Sequence, residues 1–349
     1  MCYSARMQLE DYRPRSALTL PITETTNPRF PVIDAHNHLE GYWQQRPVAE
    51  LVSLLDQAGI FAYVDLDGMW GEEVLNRHLD RYKNAYPERF RVFTGVDWSA
   101  WHMEGNQFGE RAAARLRQHA RRGADGIKIW KDFGIKVRDQ TGNLVAIDDT
   151  RLDPLWATAG ELGLPVMIHI ADPVAFFWPL DRYNERYEEL TAHPDWHFPS
   201  PPFPSFLSLM EALARVVERH PTTSFIGAHV SSYAENLHWV GDLLERCSNY
   251  TIDLSARISE LGRQPYTARR FFIRYADRIL FGTDSTPDLS TYRIYYRFLE
   301  SEDEYFAYNK GDLPYQGRWM IYGLHLPAQV LQKVYSLNAQ RVIFQQPLQ

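Results

Sequence analysis

The sequence predicts an α/β protein that folds as a closed (β/α)₈ barrel, or TIM barrel. Eight short apolar runs alternate with stretches of helical periodicity, and this alternation is typical of parallel strands connected by helices. A count of eight favours a sheet closed into a barrel. The competing interpretation is an open doubly wound sheet, which commonly carries a glycine fingerprint after its first strand. Here the first run ends instead in His36-Asn37-His38.

The apolar runs that we interpret as strands are separated by helical patterns throughout the chain. The predicted strands are 32–35, 60–66, 90–96, 126–130, 164–170, 224–228, 250–255 and 278–283. The predicted helices are 48–58, 72–86, 111–122, 206–219, 267–275 and 328–337, with two more that begin at Asp153 and at the capping-box pattern Ser232-Tyr-Ala-Glu235. Long loops are expected after the fifth and eighth strands, at 171–204 and 285–325.

We interpret the chain as one domain with a short appendage. Residues 1–30 are polar, contain several prolines and show no periodicity, so we expect an arm lying on the surface. Residues 31–349 are expected to form the single (β/α)₈ domain, because barrels of this kind often exceed the usual size of one hydrophobic core.

Composition excludes several functional classes. Lys and Arg total 37 against 44 Asp and Glu, a net charge of −7, which favours neither nucleic acid nor an anionic membrane as a partner. Cys2 and Cys247 are the only cysteines, too few for a disulfide framework or a thiolate zinc site. The first ten residues contain no apolar stretch of signal-peptide length, and no later run reaches about 18 apolar residues. We therefore expect a cytoplasmic protein.

Residues able to bind metal follow several predicted strands. His36 and His38 are one residue apart at the end of the first strand, so the alternation of a strand places them on one face, together with Asp34. Lys128 lies on the fourth strand, and His169, His229 and Asp284 end the fifth, sixth and eighth. Active sites of such barrels form at the carboxyl ends of the strands. A histidine after a strand is often a core residue or a cap, but this joint occurrence predicts one site.

The remaining histidines are not expected to join the site. His78, His119 and His238 fall in helical patterns and are expected to be solvated. His193 and His197 lie in the 171–204 loop, which could reach the barrel mouth.

This set of motifs resembles the amidohydrolase superfamily of metal-dependent barrel enzymes. The segments Val32-Ile-Asp-Ala-His-Asn-His38 and Gly282-Thr-Asp-Ser285 are most similar to the branch that contains aminocarboxymuconate-semialdehyde decarboxylase and related lactone hydrolases. The similarity extends from about residue 31 to residue 345. It implies a divalent ion, zinc or alternatively manganese or another metal, held by His36, His38, His169 and Asp284, with one ion rather than two.

The resemblance also implies catalytic roles. Such an ion lowers the pKa of bound water from 15.7 toward about 7. Asp284 would take the proton of that water. His229 would polarise the substrate oxygen, shuttle protons or join the metal ligands. Lys128 matches the strand on which relatives with two metals carry a carboxylated, bridging lysine; it could instead bind a substrate carboxylate.

Substrate contacts are expected from residues near the mouth of the barrel. Arg257 could hold a carboxylate, since its planar fork matches that group, or it could be a solvated loop residue. Lys131 is an alternative to Lys128 in either role, and Trp130 is expected to line the pocket. The two long loops suggest a lid or a contact between identical subunits.

Three functional classes follow. The first is a metal-dependent hydrolase that uses metal-activated water on a small, polar, acidic lactone, amide or ester. The second keeps the site but performs non-oxidative decarboxylation of an aromatic or unsaturated carboxylic acid. The third is a binding or scaffold protein with a structural metal, which the shortage of cysteine disfavours.

Overall fold

The computed structural model describes residues 7, 8, 12, 14–310 and 315–345; Cys2 and most of the first ten residues lie outside them. The described chain contains eight parallel strands that pair in sequence order. They are β1 (Val32–Asn37), β2 (Ile60–Asp65), β3 (Phe90–Thr94), β4 (Gly126–Ile129), β5 (Val166–Ile168), β6 (Phe225–Gly227), β7 (Tyr250–Asp253) and β8 (Ile279–Leu280).

The sheet closes between its first and last strands. The backbone N–H of Ala35 donates to the carbonyl of Phe281, and that of Asp284 donates to the carbonyl of His36, both at 2.9 Å. These bonds join β1 to the chain at and after β8, which confirms the predicted (β/α)₈ barrel. They also bring two of the predicted ligand residues, His36 and Asp284, side by side.

Helices follow most of the strands and cover the outside of the barrel. The longer α-helices are Val48–Gln57, Glu72–His78, Phe108–Arg122, Asp153–Glu161, Tyr187–Ala192, Phe206–Arg219, Leu237–Arg246, Pro265–Arg274, Leu289–Glu300 and Ala328–Gln332. Two further turns of α-helix are Trp101–Glu104 and Ile258–Leu261. Segments of π-helix continue two of these helices and form a third segment near the end of the described chain, at Leu79–Lys83, Lys333–Leu337 and Gln340–Phe344.

The helix Phe206–Arg219 shows why the sequence folds in this way. Its apolar residues recur every three or four positions, and the resulting face, which includes Leu209, Leu213 and Val216, is buried. Ser205 caps the beginning of the helix by accepting a hydrogen bond from the backbone N–H of Ser208 at 3.2 Å. The helix Phe108–Arg122 ends as predicted at Gly123, whose φ of 110° is readily available only to glycine.

Two main hydrophobic cores result from this arrangement, beside a small cluster of Leu75, Leu79, Val92 and Ala124. The larger core lies between the strands and the surrounding helices. The smaller one collects apolar residues from the opposite face of six strands, and Val342, Ile343 and Phe344 pack into it. The π-helical segment Gln340–Phe344 therefore closes the interior of the barrel.

The structure corrects four local predictions. The expected loops 171–204 and 285–325 contain the helices Tyr187–Ala192 and Leu289–Glu300, and the N-cap of the second is Asp288. The capping box at Ser232 does not form: Ser232 has a φ of 56°, and Asn236 instead caps Leu237–Arg246 by accepting from the backbone N–H of Trp239. Asp153 is the first residue of its helix rather than its cap, because Asp149 already caps the preceding turn.

The long segment after β5 is tied to the segment after β7. Arg186 donates to Glu189 at 2.8 Å and forms a second ion pair with Glu260, and all three side chains are buried. Glu185 forms a two-bond pair with Arg263 nearer the surface, at 2.7 and 3.0 Å. The segment therefore packs against the mouth of the barrel.

The described part of the arm lies against the barrel. Thr23 donates from its backbone N–H and its hydroxyl to Asp303, at 2.8 and 2.6 Å. Across the described residues, none of the helices combines the length and the apolarity needed to cross a lipid bilayer.

Candidate metal centre

The end of β1 departs from regular strand geometry. The register of β1 against β2 is irregular between Asp34 and Asn37, so side chains do not alternate evenly there. The carboxylate of Asp34 accepts hydrogen bonds from Tyr292 and Thr283, at 3.0 and 2.9 Å, and does not face the histidines. The prediction that Asp34 shares a face with them was therefore wrong. Burial raises the pKa of Asp34 to about 6.

His36 is fully buried and held by a carboxylate. Its Nδ1 lies 2.8 Å from Oδ2 of Asp253, at the end of β7. Its Nε2 lies 3.8 Å from Oδ1 of Asp284 and 3.0 Å from Nζ of Lys128. Burial and the positive charge of Lys128 lower the pKa of His36. The imidazole therefore presents Nε2 to the centre of the barrel.

His38 is held in the same way by a different carboxylate. Its Nδ1 lies 2.7 Å from Oδ1 of Asp67, whose other oxygen accepts from the backbone N–H groups of Leu39 and Glu40. Burial favours the neutral form of Asp67, but these hydrogen bonds outweigh it and lower its pKa to about 2. Nε2 of His38 is buried, has no hydrogen-bond partner among the described residues, and lies 3.5 Å from Asp284.

His229 lies in a turn of left-handed backbone at the end of β6. Residues 229–232 all have φ between 55° and 59°, which L-residues adopt only under strain. The backbone N–H of His229 donates to Asp253 at 3.0 Å. Nδ1 lies 2.9 Å from the carbonyl oxygen of Ser255, which can only accept, so Nδ1 carries the proton. Nε2 of the neutral ring is therefore a free acceptor, 3.6 Å from Asp284.

Asp284 is the point on which the three imidazoles converge. Its carboxylate lies 3.5 to 3.8 Å from Nε2 of His36, His38 and His229. Ligand atoms of His36, His38 and Asp284 lie within 4.8 Å of one another. Asp284 has a φ of 51°, and its backbone N–H is bonded to the carbonyl of His36.

These residues fit a divalent transition metal. Metal-binding histidines usually donate their second nitrogen to a carboxylate, which fixes the tautomer and directs the free lone pair at the ion. His36 and His38 both have that arrangement, through Asp253 and Asp67. Two imidazoles and a carboxylate are also the donors that zinc accepts in catalytic sites.

His169 lies beside this group rather than within it. Its ring is 4.3 Å from that of His229, centroid to centroid, and 5.6 Å from that of Trp130. Both ring nitrogens are buried without a hydrogen-bond partner among the described residues, and Nε2 lies 3.7 Å from Asp172. Burial lowers its pKa to about 4, against the opposing effect of the nearby Asp172 carboxylate, so the ring is neutral.

The two lysines have different environments. Lys128 is fully buried with its Nζ among the site residues, and burial lowers its pKa to about 8. Lys131 is bound by Asp172 at 2.7 Å and lies over the ring of Trp196. Lys128 therefore belongs to the centre, whereas the charge of Lys131 is already neutralised.

Trp130 and Arg257 border the centre. The ring of Trp130 lies 6.3 Å from that of His38 and 5.6 Å from that of Trp70. Arg257 is buried; it donates to the carbonyl of Ala256 at 2.9 Å, and its Nε has no partner among the described residues.

Three residues that organise this region were not predicted from the sequence. Asp253 ends β7 and Ser255 follows it by two residues, and polar residues directly after an apolar run are a signal that could have identified both. His78 was expected to be solvated but is buried, with Nε2 2.6 Å from Glu40 and Nδ1 paired with Asp65. His238 is exposed, as predicted.

The family model described as Amidohydrolase matches residues 33–344. No curated protein matches the chain. Among solved structures, the chain is 15% identical to 2,6-dihydroxybenzoate decarboxylase from Rhizobium, covering 90% of this chain and 99% of that one with a TM-score of 0.57.

Two further structures show the same fold. An uncharacterized TIM-barrel protein from Bordetella bronchiseptica is 16% identical, covering 90% of this chain and 98% of that one, with a TM-score of 0.54. An amidohydrolase from Burkholderia multivorans is 12% identical, covering 90% and 99%, with a TM-score of 0.51.

Proposed function

Because the chain belongs to the amidohydrolase family of metal-dependent enzymes, we propose that it is a hydrolase of a small, polar, acidic lactone, amide or ester. The observation that carries this proposal is the convergence of three imidazole Nε2 atoms on the carboxylate of Asp284. A site of this kind both holds a cation and leaves groups able to move protons.

We assign the metal to His36, His38 and Asp284, with His169 as the fourth ligand. The unpartnered nitrogens of His169 support that assignment, since an imidazole buried without hydrogen bonds is costly unless a ligand satisfies it. The donor set favours one zinc ion. When bound, such an ion supplies Lewis acidity to the substrate and to water.

We assign proton transfer to Asp284 and His229. A water molecule beside Asp284 can give its proton to the carboxylate as it attacks the substrate carbonyl, and the departing alcohol or amine takes that proton. Because Nδ1 of His229 donates to Ser255, its Nε2 can accept a proton but cannot donate one from the neutral ring. This tautomer favours proton transfer over polarisation of the substrate oxygen.

Arg257 and Lys128 are the groups that we assign to an acidic substrate. The guanidinium of Arg257 has an unpartnered Nε, and Lys128 reaches the centre directly. Lys131 is a weaker assignment because Asp172 already neutralises it. Trp130 would pack against the substrate beside His38.

The second candidate is a decarboxylase. The same ligand set could orient a carboxylate, and the fold is shared with a 2,6-dihydroxybenzoate decarboxylase. A panel of lactones, amides, esters and phenolic acids, assayed for acid formation and for CO₂ release, separates the two reactions.

The test begins with metal analysis by mass spectrometry of the purified protein, for which we expect close to one equivalent of divalent metal. Asp284→Asn and His36→Ala should each abolish turnover. The matched controls are Asp242→Asn and His238→Ala, which change exposed residues of an i,i+4 pair and should leave turnover unchanged. Loss of the fold in both the Asp284 and His36 variants, with no metal detected in the purified protein, would contradict the proposal.

A further inference from the structure

Two cavities flank the candidate metal centre. The first, which we call the tryptophan cavity, measures about 500 Å³ and is lined by residues that include Trp70, Trp98, Trp130 and Val96. The second, which we call the polar cavity, measures about 400 Å³ and is lined by residues that include Tyr295, Tyr308, Asn309 and Thr291. Both volumes lie within the range of small-molecule sites.

One lining residue of each cavity approaches His36, and the two approach it from opposite sides of the barrel. Lys128 lines the tryptophan cavity, and its Nζ lies 3.0 Å from Nε2 of His36. Asp284 lines the polar cavity, and its Oδ1 lies 3.8 Å from the same nitrogen. Lys128 is on β4 and Asp284 follows β8, which lie opposite one another in a closed sheet of eight strands in sequence order. A molecule bound beside Nε2 of His36 would therefore contact a residue of each cavity.

The tryptophan cavity is suited to an aromatic group. The rings of Trp70 and Trp130 lie 5.6 Å apart, and Trp98 is fixed by stacking on Phe133 at 4.6 Å. These three indoles give the cavity a largely aromatic wall. Arg115 also lines the cavity, but Glu104 binds its guanidinium with two hydrogen bonds, at 2.5 and 3.0 Å.

The polar cavity is suited to a group that both donates and accepts hydrogen bonds. Oδ1 of Asn309 is buried without a partner among the described residues and is an available acceptor. Gln316 also lines this cavity and can donate, whereas Lys310 is already paired with Asp288. A substrate group with a hydroxyl, or with a hydroxyl beside a carboxylate, is therefore suited to this side.

We propose that the substrate is an amide or ester with two unlike halves: an aromatic half in the tryptophan cavity and a polar half, with hydroxyl or carboxylate groups, in the polar cavity. This inference rests on the proposed hydrolase function and narrows its substrate class. Water adds to the carbonyl carbon, the C–N or C–O bond breaks, and the departing amine or alcohol takes the proton. The products are one acid and one amine or alcohol, each in its own cavity.

This division favours hydrolysis over decarboxylation. Removal of CO₂ from a small aromatic acid would need only the tryptophan cavity and the centre. A bond that joins two groups across the centre uses both cavities.

The first experiment measures fragment binding to the purified full-length protein by ligand-observed NMR. The probes are indole, L-serine, and the ketone analogue of N-(indole-3-acetyl)-L-serine, in which a methylene replaces the amide nitrogen and prevents cleavage. We expect indole and serine to bind together without displacing one another. The linked ketone should bind at least about tenfold more tightly than either fragment, since linking converts the second contact into an intramolecular one. Mutual displacement, absence of fragment binding, or no gain on linking would overturn the inference.

The second experiment uses a matched pair of variants that fill one cavity each. Val96→Phe should weaken indole binding about tenfold and leave serine binding within about twofold; Thr291→Phe should do the reverse. Both positions are partly exposed and outside the metal centre. If Val96→Phe and Thr291→Phe each weakened the binding of indole and of serine equally, the two fragments would not occupy separate subsites.

Hydrolysis is measured separately, with N-(indole-3-acetyl)-L-serine and the metal-loaded protein. If the fragments bind as expected but neither this amide nor any ester is cleaved by protein of known metal content, the proposed function fails and the two subsites remain. If substrates are cleaved but the fragments compete, the hydrolase proposal remains and this inference fails.

Discussion

Nδ1 of His36 lies 2.8 Å from Oδ2 of Asp253, and neither side chain is exposed to solvent. The other oxygen of Asp253 accepts from the backbone N–H groups of His229 and Ser255, both at 3.0 Å. One carboxylate at the end of β7 therefore fixes the tautomer of one imidazole and the backbone of another.

Asp253→Asn tests this positioning role. The amide keeps the shape of the side chain but removes the charge that orients His36. We expect metal affinity or kcat/KM to fall about 10- to 100-fold, as for other residues that hold metal-binding histidines. Metal titration and steady-state kinetics measure the effect.

The control for this substitution is Asp242→Asn, which removes a carboxylate beside the exposed His238. The control should change neither the metal affinity nor kcat/KM. Unchanged metal affinity and kinetics in Asp253→Asn would show that the hydrogen bond to His36 does not position the ligand.

Ser232→Gly should stabilise the protein. Ser232 has a φ of 56°, and its hydroxyl is buried without a partner among the described residues. Glycine relieves the backbone strain and removes the unsatisfied hydroxyl, which together outweigh its larger entropy in the unfolded chain. We expect the free energy of unfolding to rise by about 1 kcal/mol, measured by urea denaturation.

Ser231→Gly is the comparison. Ser231 has nearly the same φ, 59°, but its hydroxyl is bonded to Tyr250 at 2.6 Å. The free energy of unfolding should rise less in Ser231→Gly than in Ser232→Gly, because removal of the Ser231 hydroxyl also leaves the Tyr250 hydroxyl without its partner. An equal gain at both positions would mean that the buried hydroxyl of Ser232 costs nothing.

Glu260→Ala should destabilise the contact between the segments after β5 and β7. Arg186 would keep Glu189 but lose its second buried partner. Removing one member of a buried ion pair costs about 3 kcal/mol, because the remaining charge stays desolvated. Denaturant unfolding measures this cost.

The neighbouring pair of Glu185 with Arg263 is more exposed, so Glu185→Ala should cost less than about 1 kcal/mol. If Glu260→Ala and Glu185→Ala lowered the free energy of unfolding by similar amounts, the more complete burial of the Arg186–Glu260 pair would not explain its stability.

The stability of the protein should fall as pH rises through the pKa of His78. Burial opposes protonation of His78, but its contacts with Asp65 and Glu40 outweigh burial and raise its pKa above the ordinary value of 6.5. A raised pKa in the folded state means that the protonated ring stabilises the fold. That contribution is complete below pH 6.5 and is lost as pH rises through the folded-state pKa.

Unfolding measured over a series of pH values checks this dependence. His78→Asn should be less stable at low pH and should lack this decline. If the variant and the original chain show the same decline, His78 is not its source.

Most of the fold could be predicted from the sequence because burial on both faces leaves a strong local signal. The run Phe225-Ile-Gly that becomes β6 is uniformly apolar, and the helix Phe206–Arg219 repeats its apolar residues at helical spacing. Active sites of such barrels form at the carboxyl ends of the strands, and this rule alone predicted the positions of His36, His38, His229 and Asp284.

The errors arose where tertiary contacts override the local pattern. Ser232 matches a capping box, but Tyr250 and Asp253 hold residues 229–232 in a left-handed turn. A right-handed helix cannot begin from this backbone conformation. Asp34 leaves the expected face because the register of β1 changes beside it. His78 resembles a surface residue until Asp65 and Glu40, distant in sequence, are seen to enclose it.

The hydrogen bond from the backbone of Asp284 to the carbonyl of His36 lies on the seam where the ring of strands closes. A nascent chain on the ribosome carries His36 and His38 long before Asp284 is synthesised, so the proposed donor set is incomplete until the segment after β8 docks against β1. Under the proposed ligand assignment, activity therefore requires closure of the ring of strands. A truncated or misassembled chain would be inert, and the appearance of activity during refolding would report directly on ring closure.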